Sequence, residues 1–370
     1  MPVRAVDIAK LMGKWAPLSL AAKWDNVGLQ IGDPNRIVRR ILVALDVDAN
    51  AVAAAKSIGA EMIVAHHPLI FQPLTNLRYD RPQGALLAEI IQEKLVVYCA
   101  HTNLDQAWGG TDDLLAKKIG LTEVDILHPT GKEELYKLVV FVPQEYEAQV
   151  RSALGDAGAG WIGNYSHCTF RVSGTGTFQP QVGSQPFIGT TGKLEQVSEY
   201  RLETVTTAKL LPQVLEAMFA AHPYEEVAYD LFRMEQGGKV WGFGRIGRLV
   251  APLSLDDFAG KIKADLGLDY LRVSGNPGQQ IMKVAVCGGS GSSFFAQAGE
   301  QGADVLVTGD IKYHDAAAAA AAGLAVIDAG HQGTEQLIVD AIKEYLHQGL
   351  ADDGTVEVYC HHPQQLFWIK

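Results

Sequence analysis

A chain of 370 residues, 48% hydrophobic and 20% charged, carries enough apolar material for two or three cores at roughly 150 residues per domain. Its net charge of -11, with histidines neutral, argues against nucleic acid or an anionic membrane as the main partner. No apolar run reaches the roughly 18 residues of a spanning helix, the first residues form no signal-peptide pattern, and Cys99, Cys168, Cys287 and Cys360 make no C-x-x-C. The expectation is a cytoplasmic protein with reduced thiols.

Residues 4–14 have helical spacing, with Val6, Ile8, Leu11 and Met12 apolar. Trp24-Asp25-Asn26-Val27-Gly28-Leu29 reads as a turn feeding a strand, with Asp25 and Asn26 bonding local backbone. A strand at 41–45 ends in Asp46 and is followed by a helix at 50–57. The next strand, Met62-Ile63-Val64-Ala65, stops at His66-His67-Pro68. On a continuing strand His66 and His67 would face opposite ways, but Pro68 ends the run, so both rings can turn toward one cleft. A helix at 84–94 leads to a strand at 95–100 that ends in His101-Thr102-Asn103-Leu104-Asp105. This alternation predicts right-handed crossovers and a mainly parallel sheet. Asp46, His66, His67, His101 and Asp105 all follow strand C-termini, where open α/β sheets place their sites.

The texture changes between about Leu135 and Met234. Strand, helix, two strands, helix and strand in that order predict a ferredoxin-like α+β module, with a Gly- and Ser-rich loop from Gly174 to Gly192. The α/β rhythm then resumes with strands at 282–286, 304–307 and 324–327, and the alanine tract 316–322 reads as a helix. The turn from Gly288 to Ser293, placed between strand and helix, could offer backbone N–H groups to a phosphate, although it matches no phosphate-loop pattern. The predicted layout is two α/β segments, 1–128 and 239–370, with the module at 129–238 inserted between them.

The outer segments repeat one another. Glu61 to His67 aligns with Asp304 to Asp310, and His101 with Asp105 has the spacing of His331 with Glu335. His331 and Glu335, at i and i+4 where a strand meets a helix predicted at about 334–346, share one helical face. His66, His67, Asp105, His331 and Glu335 thus supply three imidazoles and two carboxylates from two similar halves. That inventory suits a dinuclear divalent-metal centre of zinc, iron or manganese. His101 and His314, each beside a ligand-bearing segment, are candidates for acid–base or outer roles. Cys360-His361-His362-Pro363, near the end and with no acidic partner in register, reads as an exposed tail.

The motifs W-D-N-V-G-L at 24–29, A-H-H-P at 65–68, H-T-N-L-D at 101–105, T-G-D-I-K-Y-H-D at 308–315 and G-H-Q-G-T-E at 330–335 resemble those of the NIF-three-like family, whose bacterial members are called GTP cyclohydrolase 1 type 2 homologues. The resemblance spans essentially the whole chain. It implies two metal ions on the same five residues, a toroidal homohexamer, and a module similar to trimeric regulatory domains. His222-Pro223-Tyr224-Glu225-Glu226 resembles a segment of longer family members and has no evident chemistry. The leading expectation is a metal-dependent hydrolase of a small, nucleotide-like substrate. The alternative is a non-catalytic regulatory or metal-handling protein that senses a small ligand through the module.

Overall fold

The computed structural model describes residues 2–351, 355–362, 364 and 366–367. By its internal contacts the chain divides into two compact units, Met1–Thr130 with Trp241–Lys370, and Gly131–Val240. The larger unit begins with α1 (Ala5–Trp15), which buries Ala5, Ile8 and Met12 along one stripe. Next come β1 (Gly28–Ile31), β2 (Arg40–Ala44), α2 (Ala49–Ile58), β3 (Met62–Ala65), α3 (Pro82–Gln92) and β4 (Val96–Cys99). Local chemistry sets the limits of α2. The Asp48 side chain accepts from the Ala51 amide at 2.7 Å, a cap that contributes about 1 kcal/mol, and Gly59 ends the helix at φ 65°.

β2, β3 and β4 pair in parallel, and β1 runs antiparallel on β4. Both faces of this sheet are covered, which is why β3 is apolar at every position. Met62 and Val64 pack into the cluster that holds α1, while Ile63 and Ala65 pack into the cluster that holds Val52 and Ala55 of α2 and Ile90 of α3. Truncating the fully buried Ile63 to Ala would cost about 2–5 kcal/mol. Two short helices follow, α4 (Thr102–Gln106) and α5 (Thr111–Lys118), and then a long strand, β5 (Thr122–Lys132).

The smaller unit contains β6 (Leu135–Pro143), α6 (Glu147–Asp156), β7 (Thr169–Phe178), β8 (Glu195–Thr207), α7 (Leu211–Ala221) and β9 (Tyr229–Arg233). Its sheet order is β7-β8-β6-β9, all antiparallel, the ferredoxin-like arrangement. Leu138, Val140 and Val142 of β6 meet Val150 and Leu154 of α6 and Val214 and Met218 of α7 in one core. His222 is held here by packing. Its Nε2 donates to the Phe141 carbonyl at 3.0 Å, and its Nδ1 accepts from the Tyr224 amide at 3.1 Å.

The chain returns to the larger unit through β10 (Val240–Ser254), α8 (Leu255–Asp265) and β11 (Arg272–Ser274), then β12 (Gln280–Ser290), α9 (Phe295–Glu300), β13 (Val305–Gly309), α10 (Tyr313–Ala321) and β14 (Ala325–Asp328). The second sheet is ordered β11-β14-β13-β12-β10-β5, with β12, β13 and β14 parallel and β11 antiparallel on β14. Val305 and Val307 enter one core, which also contains Leu115 of α5, Ile119 just past its end, and Phe258 and Ile262 of α8. Leu306 enters the other, with Ala319 of α10. The chain then forms α11 (His331–Glu335), α12 (Leu337–Gly349) and β15 (Glu357–His361).

Three expectations change. The helix predicted at 334–346 is two helices, and α11 starts at His331 itself, so His331 and Glu335 share a single short turn. The glycine-rich stretch after Val286 is largely strand. Its three glycine amides are already used, with Gly288 N–H donating to Asp112, Gly289 N–H to Thr334 and Gly291 N–H to Thr308 at 2.7–2.9 Å, which argues against a glycine cradle for a phosphate. The C-terminal segment is a strand and not a free tail. β15 pairs in parallel with β2, from Glu357 opposite Arg40 to His361 opposite Ala44. Pro363 lies outside the described residues.

Candidate metal centre

Four histidines and two carboxylates meet where the strands of the larger unit end. His66 and His67 leave β3, their amides still bonded to the carbonyls of Ala44 and Leu45 on the β2 side. His101 caps α4, which carries Asp105, while His331 and Glu335 open and close α11. Close backbone approach makes room for them. A Cβ on Gly289 would lie 2.3 Å from Glu335 Oε1, and one on Gly309 would lie 2.6 Å from the His331 amide nitrogen.

Every imidazole has its Nδ1 anchored from outside. His66 Nδ1 lies 2.8 Å from the Ala100 carbonyl, His67 Nδ1 2.8 Å from Asp46, His101 Nδ1 2.9 Å from Asp25 and His331 Nδ1 2.7 Å from Asp310. A carbonyl or carboxylate oxygen accepts, so Nδ1 carries a hydrogen and Nε2 is the nitrogen turned inward, the one that could bind an ion once any proton on it is displaced. One ring nitrogen each of His66, His67 and His101 lies within 4.8 Å of the others, as do donor atoms of His67, His331 and Glu335.

Glu335 joins the two groups. Its Oε2 lies 2.9 Å from His67 Nε2 and 3.0 Å from His331 Nε2, while Oε1 is 3.9 Å from His66 Nε2. Asp105 Oδ1 is 3.5 Å from His66 Nε2. Among the described residues neither of those last two buried atoms has a hydrogen-bond partner. Desolvated lone pairs facing each other are costly unless something shared fills the gap between them, a proton in the metal-free protein or a cation that displaces it. The donor set is nitrogen and oxygen throughout, which suits zinc, iron or manganese.

The protonation states have the same origin. Burial pushes His66 down to about 3, so it is neutral at any physiological pH. Burial would also lower His67, but hydrogen bonds to Asp46 and Glu335 outweigh it and raise the ring to about 10. The hydrogen bond to Glu335 is the largest influence on His331 and raises it to about 9. Burial opposes ionisation of Glu335, yet His331 and His67 hold it well below the carboxylate range. Asp105, buried and facing the charges of Glu335 and Asp112, is pushed well above it. Without metal, the histidine–carboxylate pairs therefore carry the protons that a cation would displace.

A sequence model of the Duf34/NIF3 (NGG1p interacting factor 3) family matches residues 3–365. The chain belongs to the NIF3 family. Its similarity to a GTP cyclohydrolase 1 type 2 homolog of Halalkalibacterium halodurans is 46% identity over 345 residues, 93% of this chain and 92% of that one. For the protein of that name in Bacillus subtilis the figures are 44% over 329 residues, 89% and 88%. Among solved structures, a Bacillus cereus protein related to NIF3 superposes with a TM-score of 0.93 at 42% identity, covering all of both chains. A Staphylococcus aureus protein superposes with a TM-score of 0.81 at 29% identity, covering 100% of this chain and 99% of that one.

Within this NIF3-family fold the five residues read as ligands, His66, His67, Asp105, His331 and Glu335, converge. His101, read as a candidate for an acid–base or outer role, lies among them, one of its ring nitrogens within 4.8 Å of those of His66 and His67. His314 does not join. It is exposed in the first turn of α10, its ring 5.3 Å from that of Tyr313, and none of its described contacts reaches the cluster. Sequence reasoning placed Asp46 among the residues at strand ends but assigned an anchoring role to none of Asp25, Asp46 and Asp310. Asp25 was read as a turn former, although its carboxylate is buried against His101 and Thr102. Burial raises that carboxyl, and hydrogen bonds from His101 and Thr102 override this and bring it to about 2. The available signal was that Asp46 and Asp310, like the ligands, directly follow strand ends.

Proposed function

We propose that this chain is a dinuclear divalent-metal protein acting as a metal-dependent hydrolase on a small, nucleotide-like substrate. The observation that carries this reading is the convergence of four Nδ1-anchored imidazoles, three of them facing Glu335 and His101 facing His66 and His67, beside two buried atoms, His66 Nε2 and Asp105 Oδ1, that have no hydrogen-bond partner among the described residues. Glu335 presents one oxygen to His67 and His331 and the other toward His66, so it can serve two positions at once. His331, His67 and Glu335 would hold one ion. His66, His101 and Asp105 would hold the other. Bound there, a pair of divalent ions supplies Lewis acidity and lowers the pKa of water toward neutrality.

The protein's own part is to fix ring orientation through Asp25, Asp46 and Asp310 and to keep His66 neutral. A planar substrate also has a surface to meet. The Trp24 ring, 62% exposed, lies 6.2 Å from His101 and 5.8 Å from Phe71, which is itself 46% exposed. The protein rings meet each other tilted or edge-on, so what a heterocycle could stack on is the exposed Trp24 face beside the cluster, which supports a nucleobase-like ligand. The relatives' name adds guanine-ring opening as the first reaction to try. A homohexamer in the cytoplasm is part of the same proposal. Among the described residues no helix is long and apolar enough to cross a membrane.

The test is metal analysis of the purified protein followed by turnover of a nucleotide panel. Two ions per chain at the central cluster, with hydrolysis abolished in His67→Ala and Glu335→Ala, is the expected result. Turnover that survives both substitutions would overturn the enzyme reading. Two ions with no turnover on any nucleotide would favour the metal-handling alternative.

A further inference from the structure

The C-terminal strand assembles a second group of donors separate from those above. Alternate side chains of an extended strand share a face, and Cys360 and His362 are two apart at the end of β15. That face meets α12. Cys360 Sγ lies 3.7 Å from the Val339 carbonyl, and His362 Nε2 lies 3.4 Å from Asp340 Oδ1. One donor atom each from Asp340, Cys360 and His362 lies within 4.8 Å of the other two.

We propose that Asp340, Cys360 and His362 form a further metal site for a zinc-type divalent ion. The three donors are a sulfur, an imidazole nitrogen and a carboxylate oxygen, a set found around borderline-soft ions and unlike the sulfur-free donors of the central cluster. Tetrahedral ligands about 2.0–2.3 Å from an ion stand closer together than 4.8 Å, so small rotations of the two exposed side chains complete the geometry. Three protein donors leave a fourth position for water or an exchanging ligand, so the ion enters and leaves from solvent. Cys360 is half-buried. Burial and the neighbouring Asp340 carboxylate push its thiol up to about 11, so it is protonated at neutral pH until a cation displaces the proton. The parallel pairing of β15 with β2 sets this site at the same end of the sheet as the main one, and β15 lies two strands, roughly 10 Å, from β3.

Cobalt titration of the full-length protein separates the two sites, because only a thiolate ligand gives a sulfur-to-cobalt charge-transfer band in the near ultraviolet. The band is expected in the unaltered protein and in Glu335→Ala, where the central cluster is broken. It is expected to disappear in Cys360→Ser and to need more cobalt in His362→Gln, with thermal unfolding of both variants unchanged. Absence of the band at saturating cobalt, or a band of undiminished intensity in Cys360→Ser, overturns the proposal. Failure of the central cluster to bind cobalt leaves this band in place, so the two readings fail separately.

Discussion

In one half of the larger unit β2, β3 and β4 run parallel with β1 antiparallel at the edge. In the other β12, β13 and β14 do the same with β11. Yet equivalent positions do different work. β3 ends in His66 and His67, two donors, whereas β13 ends in Gly309 and Asp310, and Asp310 only steadies His331. The first half supplies four of the six central donors and the second supplies the carboxylate that touches both groups. A duplicated sheet thus yields one asymmetric centre, in which the half with fewer donors holds the shared one.

Breaking the shared residue should have the largest effect. Glu335→Ala leaves His67 and His331 without a common acceptor and both proposed ions without their joint ligand. In a Cys360→Ser background, which removes the proposed C-terminal site, the expected metal content falls from two per chain to none, measured by elemental analysis, while His331→Ala retains one. If Glu335→Ala kept one ion, the halves would bind independently and the asymmetry would have no functional weight.

The central imidazoles also differ in the protons they hold, and the difference falls within the first half as well as across the two. His66, near 3, has none to release at pH 7, whereas His67 near 10 and His331 near 9 are both charged in the metal-free protein. Ligands must be deprotonated, so binding displaces one proton from each of these two rings, besides any proton on Asp105. Affinity should therefore rise with pH, about 100-fold per unit below pH 9, since each displaced proton contributes about tenfold. Calorimetry in buffers of different ionisation enthalpy counts the protons. Affinity that is flat between pH 6 and 8 would contradict the assignment.

Next in size are the anchors. Asp25 is fully buried and holds His101 and Thr102, while the Asp310 side chain is 52% exposed, so water can take its place at His331. Loss of such partners costs 10–100-fold in metal affinity. Asp25→Asn should lie near about 100-fold and Asp310→Asn near about tenfold. Equal losses in the two variants would mean that burial does not grade these contacts.

Much of this was legible because parallel strands covered on both faces are short apolar runs, and their C-terminal ends collect function. Met62–Ala65 and Val305–Gly309 announce themselves that way, and so do the histidines that follow them. β10 does not. Trp241 to Gly247 has a glycine at every second or third place and no apolar alternation to mark a strand. Its fit depends on distant partners. Gly244 N–H donates to Asp112, and the fully buried Arg245 binds Asp113 through two nitrogens, 132 residues away in sequence. β15 was illegible for the same reason, because its partner β2 lies more than 300 residues earlier. The anchoring aspartates were hidden differently. A carboxylate behind a histidine is a tertiary relation, and only the folded chain shows that Asp25 faces His101.

The smallest expected effect separates spacing from position. His314 belongs to a motif, T-G-D-I-K-Y-H-D, whose Asp310 anchors His331, and nearness in sequence made it a candidate for acid–base chemistry. In the structure Asp310 turns inward at φ 57°, while α10 starts at Tyr313 and carries His314 outward on its first turn. An exposed ring with no described contact to the donors cannot orient them or share their protons. His314→Ala should therefore keep the full metal content and change turnover less than about twofold, since surface substitutions away from such networks usually alter energies by under about 0.5 kcal/mol. A large fall in turnover with the ions retained would instead bring the start of α10 into the reaction. It would also give the second half a working residue that has no counterpart in the first.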